Sequence, residues 1–218
     1  MEEIDRLAFR YEIARKAIHL SSLSISVLYY YVNRELTLFL LVPLFSVFFL
    51  VDILKNFVEP VSAWYYNTFD AILRTHEVKR EKKHLNGATF ITMSALLLVF
   101  FFPKVIAIVA FSMVAVSDTL AAIVGKFFGK HRFGRKSIEG SVVFFISAIA
   151  IVIVVPGINL LIGFVMAAAA TVTEAFVVQI GSFKIDDNLT IPLFSATVGT
   201  FCYMLFMPEK IALLSICH

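Results

Sequence analysis

Carboxylates and cations suited to handling a phosphate group gather in five short clusters of this chain. Ser117-Asp118 is followed by Ala122, Gly125 and Gly129, which continue the face of Asp118 at i+4, i+7 and i+11. Small residues on that face let a second helix or a ligand approach the backbone. Lys130-His131-Arg132-Phe133-Gly134-Arg135-Lys136-Ser137-Ile138-Glu139-Gly140-Ser141 joins basic residues to two glycines and two serines. Guanidinium forks and glycine-exposed N–H groups match phosphate oxygens, although a basic loop also serves membrane topology alone. Glu174 shares a small-residue face with Gly163, Ala167, Ala170 and Thr171, which turns it towards another helix. Asp186-Asp187-Asn188 offers hard oxygen ligands of the kind Mg²⁺ takes alongside water and phosphate; the same triplet would also cap a helix. Arg15, His19, Ser22 and Ser26 form a polar stripe at i, i+4, i+7 and i+11, with Lys16 beside it. Last, the run Lys79-Arg80-Glu81-Lys82-Lys83-His84 leads into Asn86-Gly87 at a helix start, where the amide wants a buried partner and Asp52 is the candidate. The basic run itself reads equally as a headgroup patch.

The elements that must hold these groups are membrane spans. The chain has 218 residues, 60% of them hydrophobic and 16% charged, with mean hydropathy +0.88. A water-soluble domain of this size has nowhere to hide so much apolar surface, and lipid permits only helices or a closed barrel. Ala88 to Phe102 lacks the period-two alternation of a barrel strand. The expectation is an all-α, multi-pass bundle of about seven spans near 17–33, 36–52, 86–102, 104–124, 138–155, 158–180 and 190–207. Residues 1–218 read as one integral membrane domain. With the N-terminus inside, all but Arg34, Lys104 and Lys210 of the 19 Lys and Arg residues lie on the inner side, so the positive-inside rule makes that face cytoplasmic.

Residues 57–76 repeat Phe57, Val61, Trp64, Tyr65, Phe69, Ile72 and Leu73 at helical spacing. They read as an interfacial amphipathic helix anchored by Trp64, Tyr65 and Tyr66 at headgroup level. A re-entrant or spanning segment is the alternative. Residues 125–137 read as a basic nucleotide-binding loop. Gly129 to Ser137, G-x-x-x-x-G-R-K-S, is one residue away from a P-loop, but that motif follows a β-strand in an α/β unit, and membrane spans are expected to supply none. The N-terminus shows no cleavable signal, Cys202 and Cys217 read as free thiols, and a net charge of +3 does not suggest a nucleic-acid partner. No internal repeat is visible.

The clusters occur in one order: R-K-x-x-H (Arg15 to His19), N-G-A (Asn86 to Ala88), S-D-T-x-A-A-x-x-G-x-x-x-G (Ser117 to Gly129), K-S-x-E-G-S (Lys136 to Ser141), T-E-A (Thr173 to Ala175) and D-D-N-x-T-I-P (Asp186 to Pro192). That series resembles the polyprenol kinase family, which includes dolichol kinases, phytol kinases and the yeast-type CTP-dependent diacylglycerol kinase. It runs from about Tyr11 to Phe206, and its central S-D…K-S-x-E-G-S block is the specific part. The T-E-A triplet departs from the S-E-G of some relatives but keeps the acid.

The resemblance implies a multi-pass enzyme that phosphorylates a membrane lipid alcohol, with CTP as donor and Mg²⁺ or another divalent cation. Asp118, Asp187 and Glu174 would be the catalytic carboxylates, with Asp118, Asp186, Asp187 and Asn188 as metal ligands. Lys136, Ser137, Gly140 and Ser141 would line the nucleotide, together with Lys130, Arg132, Arg135, Gly125, Gly129, Asn86, Arg15, Lys16 and His19. The D-D-N-x-T-I-P form leans towards the diacylglycerol branch. The site would face the cytoplasm, in a prokaryotic plasma membrane or the endoplasmic reticulum. A lipid cytidylyltransferase is the nearest rival, although the K-D…P-G-H-G-G-x-x-D-R ending of phosphatidate cytidylyltransferases is missing. A membrane transporter is the rival from another class, but one would be expected to place its polar groups near the midplane.

Overall fold

In the computed structural model the residues described are 16–69, 85–133, 136–176, 179–180, 183–184 and 186–214. Residues 16–21 are helical and lead into α1, Leu23–Tyr31. Then follow α2 (Arg34–Phe57), α3 (Glu59–Phe69), α4 (Gly87–Phe101), α5 (Lys104–Ser112) and α6 (Asp118–Phe128), with a π-helical turn, Met113–Ser117, joining the last two. A hairpin of two-residue strands, β1 (Arg132–Phe133) and β2 (Lys136–Ser137), precedes α7 (Ile138–Val154) and α8 (Leu160–Ala175). A second such hairpin, β3 (Gln179–Ile180) and β4 (Phe183–Lys184), precedes α9 (Asp187–Phe206) and the short α10 (Ile211–Leu214).

Local chemistry starts most of these helices. Orphan N–H groups at a helix start need an acceptor. Asn33 supplies one to Leu36, Asn86 to Thr89, Ser137 to Gly140, Asn159 to Leu161 and Ile162, and Asp186 to Asn188. At the far end of α4, Arg34 donates to the carbonyls of Val99 and Phe100, setting a cation against the negative pole of that helix. Between α7 and α8 the chain turns at Gly157, whose φ of 86° is a conformation that L side chains rarely adopt.

The continuous helix Lys104–Phe128 forms the centre of the bundle, and all of α5 is buried. Around it α9 packs on α8 and α4, α7 on α6 and α8, α2 on α3 and α4, and α1 on α5. Two close approaches depend on glycine: a Cβ on Gly163 would collide with Val152, and one on Gly199 with Met166. The exterior is greasy, with Phe39, Phe101, Ile153, Leu161 and Phe206 all more than half exposed. Three helices, Arg34–Phe57, Lys104–Phe128 and Asp187–Phe206, are long and apolar enough to cross a membrane, and α4, α7 and α8 are shorter apolar helices.

One expectation needs correction. Tyr65 and Tyr66 do not anchor a surface helix: both are buried, while Trp64 is exposed. Tyr65 packs its ring under the Lys55 ammonium, 4.6 Å from the centroid, and accepts a hydrogen bond from the Asn86 amide at 3.1 Å. Helix α3 therefore docks on the bundle through its tyrosines; residues 70–76 lie outside the described set. The fold is all-α as expected, with two hairpins of two-residue strands as its minor additions. The strands lie inside the Gly129–Ser137 run rather than ahead of it, so the P-loop comparison still fails.

Candidate functional site

Strand β2 presents successive side chains to opposite faces, and this alternation organises the site. Ser137 points into a seam made by three glycines. Its hydroxyl caps α7 by accepting from the Gly140 N–H at 3.1 Å. A Cβ on Gly125 would sit 2.9 Å from that oxygen and one on Gly129 2.7 Å, so the glycines exist to admit the serine. Ser137, Gly125, Gly129 and Gly140, expected at the nucleotide, pack the hairpin on α6. The hairpin is tied further by His131, whose Nδ1 is 2.8 Å from Glu139, and by the Ile138 N–H donating to the His131 carbonyl at 3.0 Å.

Lys136 points the other way, into a ring of carboxylates from three helices. Its Nζ lies 2.6 Å from Glu174 Oε1, 3.5 Å from Asp187 Oδ2 and 3.9 Å from Asp118 Oδ1. Ser141, one turn into α7, donates to the other oxygen of Glu174 at 3.0 Å. On the opposite side of Asp118, Lys16 Nζ is 2.6 Å from Oδ2 and His19 Nδ1 is 3.7 Å from the same oxygen. The π-turn just before Asp118 inserts a residue into the helical phase, roughly a 100° rotation, and sets which face of α6 the acid occupies.

Exposure is graded across this cluster. The side chain of Glu174 is 3% exposed, Asp118 12%, Lys136 23% and Asp187 30%, so the group opens outward from Glu174 to Asp187. Burial works against the Lys136 ammonium, but Asp118, Glu174 and Asp187 outweigh it and hold its pKa above the ordinary lysine value. Three carboxylates thus face two ammonium groups and an imidazole, close to charge balance. Any polyanion entering here would exchange protein carboxylates for its own oxygens on the same cations.

The acids also bear on the expected metal. Among the described residues no three His, Cys, Asp or Glu side chains form a ready metal cage. Mg²⁺ seldom uses such a cage and takes one or two carboxylates plus phosphate oxygens. Asp118 and Asp187, within reach of one ammonium, are a donor pair of that kind. Asp186 spends one carboxylate oxygen on the Asn188 N–H, 2.9 Å away, as the cap of α9. Asn188 is buried, its amide nitrogen 3.9 Å from where a Cβ on Gly87 would lie.

Not every predicted residue joins the cluster. Lys130 and Arg132 are exposed on the hairpin surface, and Arg15, Arg135 and the 79–84 run lie outside the described residues. Asn86 belongs to a separate network. Its backbone N–H donates to Asp52 Oδ2 at 2.8 Å, Thr89 donates to the same oxygen at 2.5 Å, and Lys55 pairs with Oδ1 at 2.6 Å. Asp52 is thus a partner of the Asn86 backbone, while the side-chain amide expected to meet it donates to Tyr65 and accepts from the Thr89 N–H. Lys55 and Tyr65 carry no motif signal, and sequence reasoning passed over both as members of this network. An i, i+3 spacing from Asp52 to Lys55 was the available clue.

No family model matches the chain, and no solved structure matches it. It is 30% identical over 203 residues to an uncharacterized protein of Rickettsia prowazekii (strain Madrid E), an alignment covering 90% of this chain and 98% of that protein. The chain belongs to the same family as that protein.

Proposed function

We propose that this family member is a CTP-dependent lipid alcohol kinase, transferring the γ-phosphate of the nucleotide to a hydroxyl at the cytoplasmic membrane surface. In this reading the helix beginning at residue 16 and α2, α4, the central helix, α7, α8 and α9 are seven spans, with the N-terminus inside. The observation that carries the proposal is Lys136, held between Glu174, Asp187 and Asp118. Residues from four separate motifs meet around this one ammonium, Glu174 and Asp187 at helix ends and Asp118 just after the π-turn of the continuous helix Lys104–Phe128.

The chemistry follows from that geometry. Lys136 and Lys16 would release their carboxylates and take up charge on the triphosphate, stabilising the transition state electrostatically. Glu174, buried and held by Ser141, keeps the Lys136 stem in place. Asp118 and Asp187 would hold a divalent cation against the nucleotide; that ion would neutralise charge on the transferring group. The lipid oxygen attacks the γ-phosphorus, forming the new O–P bond. The bond from that phosphorus to the β–γ bridging oxygen breaks, and nucleoside diphosphate leaves. The hydroxyl proton passes to a carboxylate of the cluster. CTP as donor rests on the motif resemblance.

The test is purified protein with radiolabelled CTP or ATP against diacylglycerol, phytol, geranylgeraniol and a long polyprenol. A γ-label entering one of these lipids supports the kinase. An α-label entering the lipid identifies a cytidylyltransferase, and transport without nucleotide turnover identifies a transporter.

A further inference from the structure

Beside the polar cluster, α1 packs against the central helix but stands off from α7, and the gap is an apolar groove of about 610 Å³. Leu23 and Val27 line one wall, Val116 and Leu120 the floor, Ala150 and Val154 the other wall. The groove spans Leu23 to Tyr31 along α1 and Leu120 to Ile108 along the central helix. At ~1.5 Å per residue those stretches are about 12 and 18 Å long, close to the ~15 Å of hydrocarbon in one leaflet.

Its end nearest the cluster lies at the depth of the cluster, although none of Lys16, His19 and Asp118 lines it. Leu23 lies one turn beyond His19 and two beyond Lys16, on the face of that helix that meets Asp118. Leu120 follows Asp118 by two residues. Serines in the lining make little polar demand: Ser147 donates to the carbonyls of Val143 and Phe144, and Ser26 to that of Ile108. A guest here needs to be apolar, extended and one chain wide.

We propose that this groove binds a single hydrocarbon chain of the lipid substrate, about one leaflet deep, with its hydroxyl end towards Lys16, His19 and Asp118. The orientation rests on the kinase reading; the binding of a chain does not. One groove accommodates one chain, so a single-chain alcohol of prenol type fits it fully, and a diacylglycerol would leave its second chain in the bilayer.

The experiment uses the full chain in nanodiscs with a diazirine-bearing geranylgeraniol analogue, mapping photolabelled peptides by mass spectrometry. Labelling should concentrate on Leu23–Tyr31 and Ile138–Val154 and be competed by unlabelled geranylgeraniol. Ala150→Trp, at an exposed position, should lower it at least about tenfold, the loss expected from displacing two or three buried methylenes. Ile153→Trp, on the same helix but outside the groove lining, should leave it unchanged. Diffuse labelling, or labelling unaffected by Ala150→Trp, overturns the proposal. Competed labelling in the groove without γ-label ever reaching a lipid leaves the chain site standing and removes the kinase. Full kinase activity of Ala150→Trp on geranylgeraniol at unchanged KM does the reverse.

Discussion

Two buried ion-pair networks sit near helix ends of this protein, and they are built for different ends. In the first, Asp52 and Lys55 are 0% and 1% exposed, and the Asp52 carboxylate is engaged by Asn86, Thr89 and Lys55 at 2.5–2.8 Å. It joins α2 to the start of α4 and, through Tyr65, to α3. In the second, Lys136 makes one short contact to Glu174 and two long ones, at 3.5 and 3.9 Å, and the side chains reach 30% exposure at Asp187. A closed network with short bonds staples helices together. An open one with slack bonds can trade partners. The contrast fits a structural staple in the first and, under the proposed function, a site of chemistry in the second.

Four substitutions bear on that contrast, the first two with large effects and the last two with smaller ones. Asp187→Asn should cut phosphoryl transfer by about a hundredfold or more, while thermal unfolding barely moves because the side chain is partly open. Wild-type turnover in this variant would detach Asp187 from the site. Asp52→Ala should do the opposite, costing about 3–5 kcal/mol because Lys55 is left buried without its counter-ion. Denaturation in detergent reads that loss, and an unchanged midpoint would refute the staple. Lys136→Ala should weaken nucleotide binding by roughly tenfold, the value of one charge-assisted contact; equilibrium binding measures it, and unaltered affinity would mean the ammonium never meets phosphate. Ser141→Ala should cost least, roughly 1 kcal/mol, since Glu174 keeps Lys136 as its partner. That is a several-fold drop in turnover with nucleotide affinity intact.

The pH behaviour of Lys136 has a definite sign. Its folded-state pKa lies above the ordinary value, so its stabilising contribution is fully present below the unfolded pKa of ~10.4 and fades as pH climbs through the folded one. Alkaline unfolding should therefore steepen above about pH 10.4 in the wild type and lose that component in Lys136→Ala.

The helix pattern was legible because apolar runs in this chain are bounded by strong caps and turns. Expected spans such as 36–52, 86–102 and 138–155 lie within a few residues of α2, α4 and α7. Asp118, Glu174 and Asp187 were also legible as one group, since an acid among small residues in or beside an apolar helix has few reasons to exist other than a partner. What hid was the division of labour within motifs. Lys136 and Ser137 are neighbours in sequence, yet the strand alternation sends one to the carboxylates and the other into a glycine seam. Asn86 carries a motif signal and caps its own helix through Thr89, but its tie to Asp52, 34 residues away, comes through the backbone N–H, which every non-proline residue has. Tyr65 and Tyr66 have the composition of interfacial anchors, and only the docking of α3 on the bundle turns them inward. Residue type announces what a side chain is able to do; the backbone direction at that position decides which of its uses is taken.

Asp118 is the most direct place to test the whole account, because Lys16 grips it at 2.6 Å while the His19 imidazole and the Lys136 ammonium stand 3.7 and 3.9 Å away. Wild type and Asp118→Asn, both shown folded in detergent, would be given γ-labelled CTP, a divalent cation and a lipid alcohol. The account predicts labelled lipid from the wild type and none from the variant. Equal labelling by both proteins, or none by either with any alcohol offered, would contradict it.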